Sequence, residues 1–177
     1  MQHDKPQSLG IGSTPPTEPD ERRRLPVLEV EAFHERLGAG RRLIGIDVGT
    51  KTLGLALSDV GRRIASGLET IKRTKFRADA ERLLALVGEQ GVGGIVIGLP
   101  LNMDGSEGPR AQSTRAFQRN LAALTDLPMM FWDERLSTAA AERTLLESDA
   151  SRRRRAEVVD KMAATIILQT ALDRLRK

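Results

Sequence analysis

The stretch of sequence that decides the fold spans residues 43–58 and reads LIGIDVGTKTLGLALS. Its first half is an apolar run that ends in Asp47-Val48, the pattern of a central strand buried on both faces. The residues Gly49-Thr50-Lys51 then form a tight turn, and a second apolar run follows at once. Because so short a connection joins only antiparallel neighbours, the stretch predicts a β-hairpin at the centre of a sheet.

Beyond the hairpin, short apolar runs alternate with segments of helical spacing. The predicted elements are a strand at Ile64–Ile71, a helix at Phe76–Gln90, a strand at Gly94–Gly98, a helix at Arg110–Leu124, a strand at Met129–Trp132, a helix from Ser137 or Thr138 to Leu146, and a last helix from about Ala156 to Leu175. This order predicts an α/β fold with a five-stranded mixed sheet. A three-strand antiparallel meander and two parallel crossover strands form the sheet, and helices flank it.

The N-terminal part of the chain differs from the rest in composition. Residues 1–25 carry several prolines and the charged run Glu21-Arg22-Arg23-Arg24, and have too few apolar residues to offset the entropy of ordering them. We expect residues 1–40 to be a disordered or weakly structured extension, with a short helix at Leu28–Leu37. The folded domain is then residues 41–177.

The composition limits the chemistry. The 177 residues include no cysteine and two histidines, which excludes disulfides, thiolate zinc sites and histidine-rich metal sites. Any metal must be held by carboxylates, which favours Mg²⁺ or Mn²⁺. The net charge of +4 permits a nucleic-acid partner, whereas 3% aromatic residues argue against an RNA surface of stacked rings. No apolar run approaches a membrane span and no signal peptide is visible, so a cytoplasmic location is expected.

Three acidic positions stand out, and each has two interpretations. Asp47 closes an apolar strand, where it is either a functional carboxylate or one that bonds the amides of the following turn. Asp160 shares a helix stripe with small and apolar residues, so it is either part of an inward site or an acid favoured by the helix dipole. The triplet Asp133-Glu134-Arg135 follows the last strand, where sites gather, but by itself it also fits a helix-entry loop.

Taken together, the three positions form a pattern. One acid ends the first strand, one follows the fifth strand, and one lies on the last helix. Convergent carboxylates suit one or two divalent ions that activate water against a phosphodiester.

Polar and basic residues flank these acids. The loop after the fourth strand contains Asn102 and Ser106, which could donate to a phosphate, and Arg110 begins the next helix. The run Arg152–Arg155 reads as a loop before the last helix, where its cations either grip a polyanion or are only solvated. Lys51, in the hairpin turn beside Asp47, is a similar candidate. The remaining acids Asp59 and Asp104 read as turn residues.

Four blocks in this order resemble the YqgF/RuvX family, whose members are named pre-16S rRNA nucleases and, earlier, Holliday junction resolvases. The matching blocks are Gly45-Ile46-Asp47-Val48-Gly49 with Gly54, Ser58 and Asp59; Gly98-Leu99-Pro100-Leu101-Asn102-Met103-Asp104-Gly105 with Glu107-Gly108; Asp133-Glu134-Arg135-Leu136-Ser137-Thr138; and Val159-Asp160 with Ala163-Ala164. The resemblance covers roughly Arg42 to Leu172, nearly all of the folded part.

The resemblance implies an RNase H-like fold and a metal-dependent nuclease that matures the 5′ end of 16S rRNA. It carries over Asp47, Glu134 and Asp160 as the catalytic and metal-binding acids, with Mg²⁺ or Mn²⁺ as cofactor. Lys51, Asn102, Arg110, Arg135 and Arg152, Arg153, Arg154 and Arg155 are then expected to bind the substrate. The expected partners are pre-16S rRNA or branched DNA, together with ribosomal particles, and the chain is expected to be a monomer or a homodimer.

Two other functions are compatible with the residues. The segment Asp47–Thr52 followed by Gly54 also looks like the phosphate hairpin of sugar-kinase and actin-like ATPases, although those proteins enclose a nucleotide between two such domains. A non-catalytic RNA-binding factor could keep the same fold and acids.

Overall fold

The structure, a computed structural model, describes residues 27–137 and 152–177, with side chains in the second segment from Val159 onward. The strands are β1 (Arg42–Val48), β2 (Thr52–Ser58), β3 (Ala65–Lys72), β4 (Val92–Leu99) and β5 (Met129–Asp133). The helices are α1 (Val30–Arg36), α2 (Phe76–Glu89), α3 (Pro109–Ala122) and α4 (Arg152–Leu175), and a 3-10 turn spans Glu134–Leu136. None of the helices in the described ranges is long and apolar enough to cross a lipid bilayer.

The strands form one five-stranded sheet in the order β3-β2-β1-β4-β5. The first three strands pair antiparallel as a meander, and β1-β4 and β4-β5 pair parallel through helical crossovers. The predicted five-stranded mixed sheet, with three antiparallel and two parallel crossover strands, is therefore confirmed. Strand β1 lies at the centre because it pairs with both the hairpin partner and the first crossover strand.

Strand β1 is buried on both faces, as its unbroken apolar run predicts. Ile44, Ile46 and Val48 pack in a core beneath α2 and α3. Leu43 packs in a second core beneath α1 and α4. Because side chains alternate along a strand, Asp47 points into the layer of α4, the same side as Leu43.

Helix α4 lies unusually close to the sheet because glycines face it on neighbouring strands. A Cβ atom built on Gly45 of β1 would lie 2.7 Å from Leu168 Cβ. On β2, a Cβ atom built on Gly54 would lie 2.2 Å from the backbone oxygen of Asp160. Both distances are below any real Cβ contact, so the helix occupies the space that side chains would fill. The small residue Ala164 of α4, itself fully buried, lies against this surface.

The N-terminal boundary of the domain differs from the expectation. Helix α1 packs on the sheet rather than belonging to a weakly structured extension, because Phe33 is fully buried in the core beneath α4. The backbone N–H of Leu28 also donates to the carbonyl of Met129 at 2.9 Å. The folded part therefore begins by Leu28, and not at residue 41. The expectation for residues 1–26 lies outside the described residues.

The last helix also begins earlier than predicted. The run Arg152–Arg155 is its first turn and not a preceding loop, because arginine is a strong helix former and no glycine or proline interrupts the run. The predicted helix from Ser137 or Thr138 to Leu146 lies outside the described residues except for Ser137. That residue ends the 3-10 turn by donating its hydroxyl to the carbonyl of Glu134 at 2.9 Å.

The close approach of α4 predicts opposite effects of alanine at two glycines. We expect Gly54→Ala to lower the free energy of unfolding by about 1–3 kcal/mol or more, because the new methyl group meets the backbone of α4. Gly88→Ala is the control, since Gly88 lies in α2 with no atom within 4 Å of an added Cβ. It should raise stability by about 0.5–1 kcal/mol. Urea unfolding of both variants checks this, and equal midpoints would contradict the packing of α4.

Candidate active site

Asp47 lies at the centre of the candidate site. The residue is 3% exposed, and its side chain faces the layer of α4. On one side it pairs with Gly54 of β2. On the other side, the parallel register that pairs Ile46 with Ile97 places it beside Gly98 of β4. A buried carboxylate is thus flanked by two positions that carry no side chain.

Asp160 occupies the space above Gly54. Its Cβ lies 3.1 Å from a Cβ built on that glycine. The hydroxyl of Thr52, two residues earlier on β2, donates to Asp160 Oδ2 at 2.5 Å. Because α4 begins at Arg152, Asp160 is about two turns inside the helix, too far from its start for the helix dipole to explain the acid.

Glu134 occupies the space on the other side of Asp47. It follows β5, which is separated from β1 by β4. Its Oε1 atom lies 2.8 Å from a Cβ built on Gly98, so the side chain reaches across β4 towards the central strand. A side chain at position 98 would block this path. Asp47, Glu134 and Asp160 therefore gather at one end of the sheet, on the face that α4 covers.

Asp133, the neighbouring acid, is engaged elsewhere. Its carboxylate accepts hydrogen bonds from Arg135 Nη2 at 2.7 Å, from Arg135 Nε and from the Arg135 backbone N–H. The bond to the guanidinium is the largest cause that lowers the pKa of Asp133 below its ordinary value. Asp133 also caps the 3-10 turn that carries Glu134. The two adjacent acids thus have different surroundings: the Glu134 side chain reaches over Gly98, whereas the Asp133 carboxylate binds Arg135.

The residues suit a divalent cation in donor type and in location. Carboxylate oxygens are preferred by Mg²⁺ and Mn²⁺, and the burial of Asp47 is costly unless a positive group compensates it. The side chains are not a finished cage, however. Within residues 27–137 and 159–177, no three Asp, Glu or His side chains are placed so that they could hold one ion together. The orientation of each carboxylate therefore matters for binding.

The loop after β4 is ordered by its own polar residues. The amide of Asn102 donates to Ser106 Oγ at 2.9 Å, and Ser106 in turn donates to Asp104 Oδ1 through its backbone N–H at 2.9 Å and its hydroxyl at 2.6 Å. These bonds lower the pKa of Asp104, which acts as a turn residue as predicted. Asn102 is exposed but already hydrogen-bonded within the loop, so its expected contact with substrate stays a prediction.

Arg135 links this loop to the 3-10 turn. Its guanidinium binds Asp133 and also donates to the carbonyl of Met103 at 3.4 Å. It lies over Gly105, which has a positive φ of 87°. The geometry therefore gives Arg135 a structural task beside the expected contact with substrate.

Lys51 lies exposed in the β1–β2 turn. Arg73 holds this turn, because its Nη1 atom donates to the carbonyl of Gly49 at 2.6 Å and its backbone N–H donates to the carbonyl of Lys51 at 2.8 Å. No sequence motif marks Arg73. Lys51 is thus displayed on a restrained turn that directly follows Asp47 and Val48.

Arg110 lies at the same end of the sheet, but beyond that turn. It lines a small cleft of about 140 Å³ between the turn and the start of α3, together with Val48, Thr50 and Ser113. Because Val48 faces α2 and α3, the cleft opens on the face opposite to the acids. The described lining of this cleft includes Arg110 and none of the three acids. The side chains of Arg152–Arg155 lie outside the described residues, although their backbone begins α4.

Thr52 is the functional candidate that sequence analysis missed. A signal for it exists, since alternation places Thr52 on the same face of β2 as Gly54, next to the predicted acids. The contact itself depends on how closely α4 packs, which no local pattern shows.

Comparisons with known proteins identify the family of the chain. The family described as "RuvX: Holliday junction resolvase" matches residues 41–174. A protein of Methylocella silvestris named "Putative pre-16S rRNA nuclease" is 62% identical over 151 residues, covering 85% of this chain and 94% of the relative. A protein of Paramagnetospirillum magneticum with the same name is 61% identical over 149 residues, covering 84% and 96%.

Among solved structures, RuvC of Thermus thermophilus is similar with a TM-score of 0.48 and 16% identity, covering 77% of this chain and 97% of RuvC. The family match and the sequence relatives each span most of the chain, and the family match includes all four blocks identified above. The chain therefore belongs to the RuvX family.

Proposed function

We propose that this protein is a divalent-metal-dependent nuclease that hydrolyses phosphodiester bonds, with the precursor of 16S rRNA as its substrate. The observation that carries the proposal is the placement of Glu134 and Asp160 over the two glycines beside Asp47. The relatives' names supply the substrate.

A nucleic-acid substrate is negatively charged, so three carboxylates at one end of the sheet would repel it. Bound cations that neutralise the acids remove this repulsion. Asp47, Glu134 and Asp160 are the residues that would hold Mg²⁺ or Mn²⁺. When bound, such an ion lowers the pKa of water and stabilises charge on a phosphoryl group. Asp47 is the central ligand in this proposal because it lies between the other two acids.

The other residues of the chain position the substrate. Lys51 stands on the turn after β1, where its cation can meet a phosphate next to the scissile bond. Arg135 and Asn102 lie at the loop after β4, on the other side of Asp47 from Lys51, and would contact the substrate there. Arg110 lies beyond the β1–β2 turn, at the start of α3. The cations of Arg152–Arg155 begin the helix that carries Asp160 and would extend the contact with the nucleic-acid backbone.

A second candidate substrate is a Holliday junction, which the description of the matching family favours. Cutting a junction symmetrically requires two active sites and thus a homodimer, whereas trimming one RNA end requires one site. Cleavage of a labelled pre-16S rRNA fragment and a four-way DNA junction, with the oligomeric state measured in the same buffer, separates the two substrates.

If the substrate is an rRNA precursor, the protein acts in the cytoplasm and its partners are ribosomal particles.

The catalytic proposal predicts the behaviour of Asp47→Asn. We expect Mg²⁺- or Mn²⁺-dependent cleavage to be lost because the central ligand is gone. The metal-free variant should be as stable as the wild type or more stable, because one of three neighbouring negative charges is removed. Cleavage assays and thermal unfolding without metal check both parts. Full activity in this variant would refute the assignment, and a wild type that binds RNA but never cuts it would favour a non-catalytic factor.

The same assay has a matched pair of variants at adjacent residues. Glu134→Gln should abolish cleavage, whereas Asp133→Asn should retain most of it, because the Asp133 carboxylate binds Arg135. The opposite ranking would show that Asp133 is the ligand.

The arginine run predicts a separation of binding from chemistry. Changing Arg152–Arg155 to alanine keeps a strong helix former at each position. It should weaken nucleic-acid binding and lower the slope of log K against log salt by roughly one unit or less for each lost phosphate contact. Cleavage at saturating substrate should change little because the acids remain. Arg77→Ala with Arg119→Ala, on the exposed surfaces of α2 and α3, is the control. Equal slopes of log K against log salt for all three proteins would show that the arginine run is only a solvated surface.

A further inference from the structure

A basic cleft of about 670 Å³ lies between the end of α1, the β2–β3 loop and the end of α4. The described residues that line it include no aspartate or glutamate, and five of them are basic: His34, Arg62, Arg63, Arg176 and Lys177. Glu31 and Glu35 of α1 line a neighbouring hollow that shares His34. A concave surface with charges of one sign attracts ions of the opposite sign, so the cleft suits an anion.

The cleft lies at the end of the sheet opposite to the candidate active site. The acids lie by the β1–β2 turn, whereas the β2–β3 loop is at the other end of β2. Helix α4 runs the same way, because Asp160 lies over Gly54, Leu168 lies over Gly45, and Leu175 reaches the cleft. The seven residues of β2 separate the two ends by about 20 Å. The cleft is therefore distinct from the group of acids.

Hydrogen bonds hold the β2–β3 loop in place. Asp59 Oδ1 accepts from the backbone N–H of Arg63 at 2.6 Å and from that of Ile64 at 2.9 Å. The bond from Ile64 is the largest cause that lowers the pKa of Asp59, and the bond from Arg63 is the next. The carbonyl of Arg63 accepts from Gln169 Nε2 of α4 at 3.0 Å. The loop is thus fastened to itself and to α4, and it displays the Arg63 side chain from a fixed backbone.

Arg62 forms one wall of the cleft. Its φ of 54° lies in the left-handed region, where glycine and asparagine are usual. Its guanidinium donates from Nε to the carbonyl of Arg41 at 3.0 Å and from Nη2 to the carbonyl of Gly38. These bonds tie the loop to the segment between α1 and β1. Because both acceptors are neutral carbonyl groups, they orient the charge of Arg62 without neutralising it.

The other cations of the cleft are also weakly compensated. Within the described part of the chain, the side chains of Arg63 and Lys177 form no hydrogen bond or ion pair. Arg176 pairs with Asp173, but both side chains are about half exposed and such a pair contributes little. The dipole of α4 favours cations in its last turn, yet it does not account for Arg63, which belongs to a different element. An excess of positive charge therefore faces the cleft.

We propose that this cleft binds the phosphate backbone of the nucleic-acid substrate, about 20 Å from the bond that is cut. This inference rests on the nuclease function proposed above. Arginine and lysine bind phosphodiester groups without reading the bases, so the cleft contributes affinity and register but no sequence preference. At the 3.4 Å rise of a helical strand, about 20 Å corresponds to about six nucleotides. The substrate then extends at least that far from the cleavage site.

The test measures the affinity for an RNA of about 20 nucleotides by fluorescence anisotropy, over a range of salt concentrations and with a chelator so that nothing is cut. Arg63→Ala with Lys177→Ala removes two cations that form no bond within the described fold. We expect the dissociation constant to rise about 5- to 25-fold at about 0.1 M salt, and the slope of log K against log salt to fall by about 0.7–1.4 units. Arg77→Ala with Arg119→Ala removes the same charge from the exposed surfaces of α2 and α3 and should have a much smaller effect.

Cross-linking locates the contact directly. The chain has no cysteine, so a single introduced cysteine can carry a photo-crosslinker. Val60→Cys places the label in the cleft, and Leu124→Cys is the matched control outside it, because the two positions are 50% and 49% exposed. We expect RNA to cross-link efficiently to position 60, about six nucleotides or more from the cleavage site of the wild type, and poorly to position 124.

Each outcome supports or overturns the inference. If the cleft variant binds RNA with the affinity and salt slope of the wild type, the cleft is not a phosphate site, and cleavage by the wild type leaves the nuclease function standing. If the control variant loses as much affinity as the cleft variant, net charge is the cause and the inference is overturned. Equal cross-linking to positions 60 and 124 overturns it as well. If the wild type neither binds nor cleaves nucleic acid, both proposals fail together.

Discussion

The close approach of helix α4 to the sheet is the constraint on which the candidate site depends. Gly54 on β2 leaves room for the backbone and side chain of Asp160, and Gly98 on β4 leaves room for Glu134 and for Ile167 of α4. Larger residues at either position would push the acids away from Asp47. The same glycines that allow the helix to pack therefore also leave the space that Glu134 and Asp160 occupy on either side of Asp47.

Hydrogen bonds and ion pairs then set the orientation of individual groups around that space. Arg73 restrains the turn that displays Lys51, and Thr52 binds Asp160. Arg135 occupies Asp133, which leaves Glu134 as the acid directed towards the central strand. Glu107 binds Arg115 through the guanidinium, which fastens the end of the loop after β4 to α3. The ion pairs of Arg135 and Arg115 are exposed, so they contribute more to geometry than to stability.

Much of this arrangement could be predicted from the sequence. Apolar runs and helical spacing were enough to predict the five strands and the helices that connect them, because a buried strand and an amphipathic helix each have a clear periodic pattern. Asp47 was identifiable as an acid that ends a doubly buried strand. The choice between Asp133 and Glu134 was not accessible, since both follow β5 and only side-chain contacts distinguish them. The start of α4 at Arg152 was not predicted, because the charge of the arginine run suggested a solvated loop although arginine favours helix. The burial of Phe33 was not predicted, because the proline-rich composition before it suggested an extension without packing.

The central claim is that Asp47, flanked by Glu134 and Asp160, holds the ion that cleavage requires. The most direct measurement is anomalous scattering from crystals of the protein grown with MnCl₂ and a short RNA. We expect a Mn²⁺ peak within direct coordination distance of the Asp47 carboxylate, between β2 and β4 on the face of α4. Manganese bound only at Asp133 or Asp104, with none at Asp47, would contradict it.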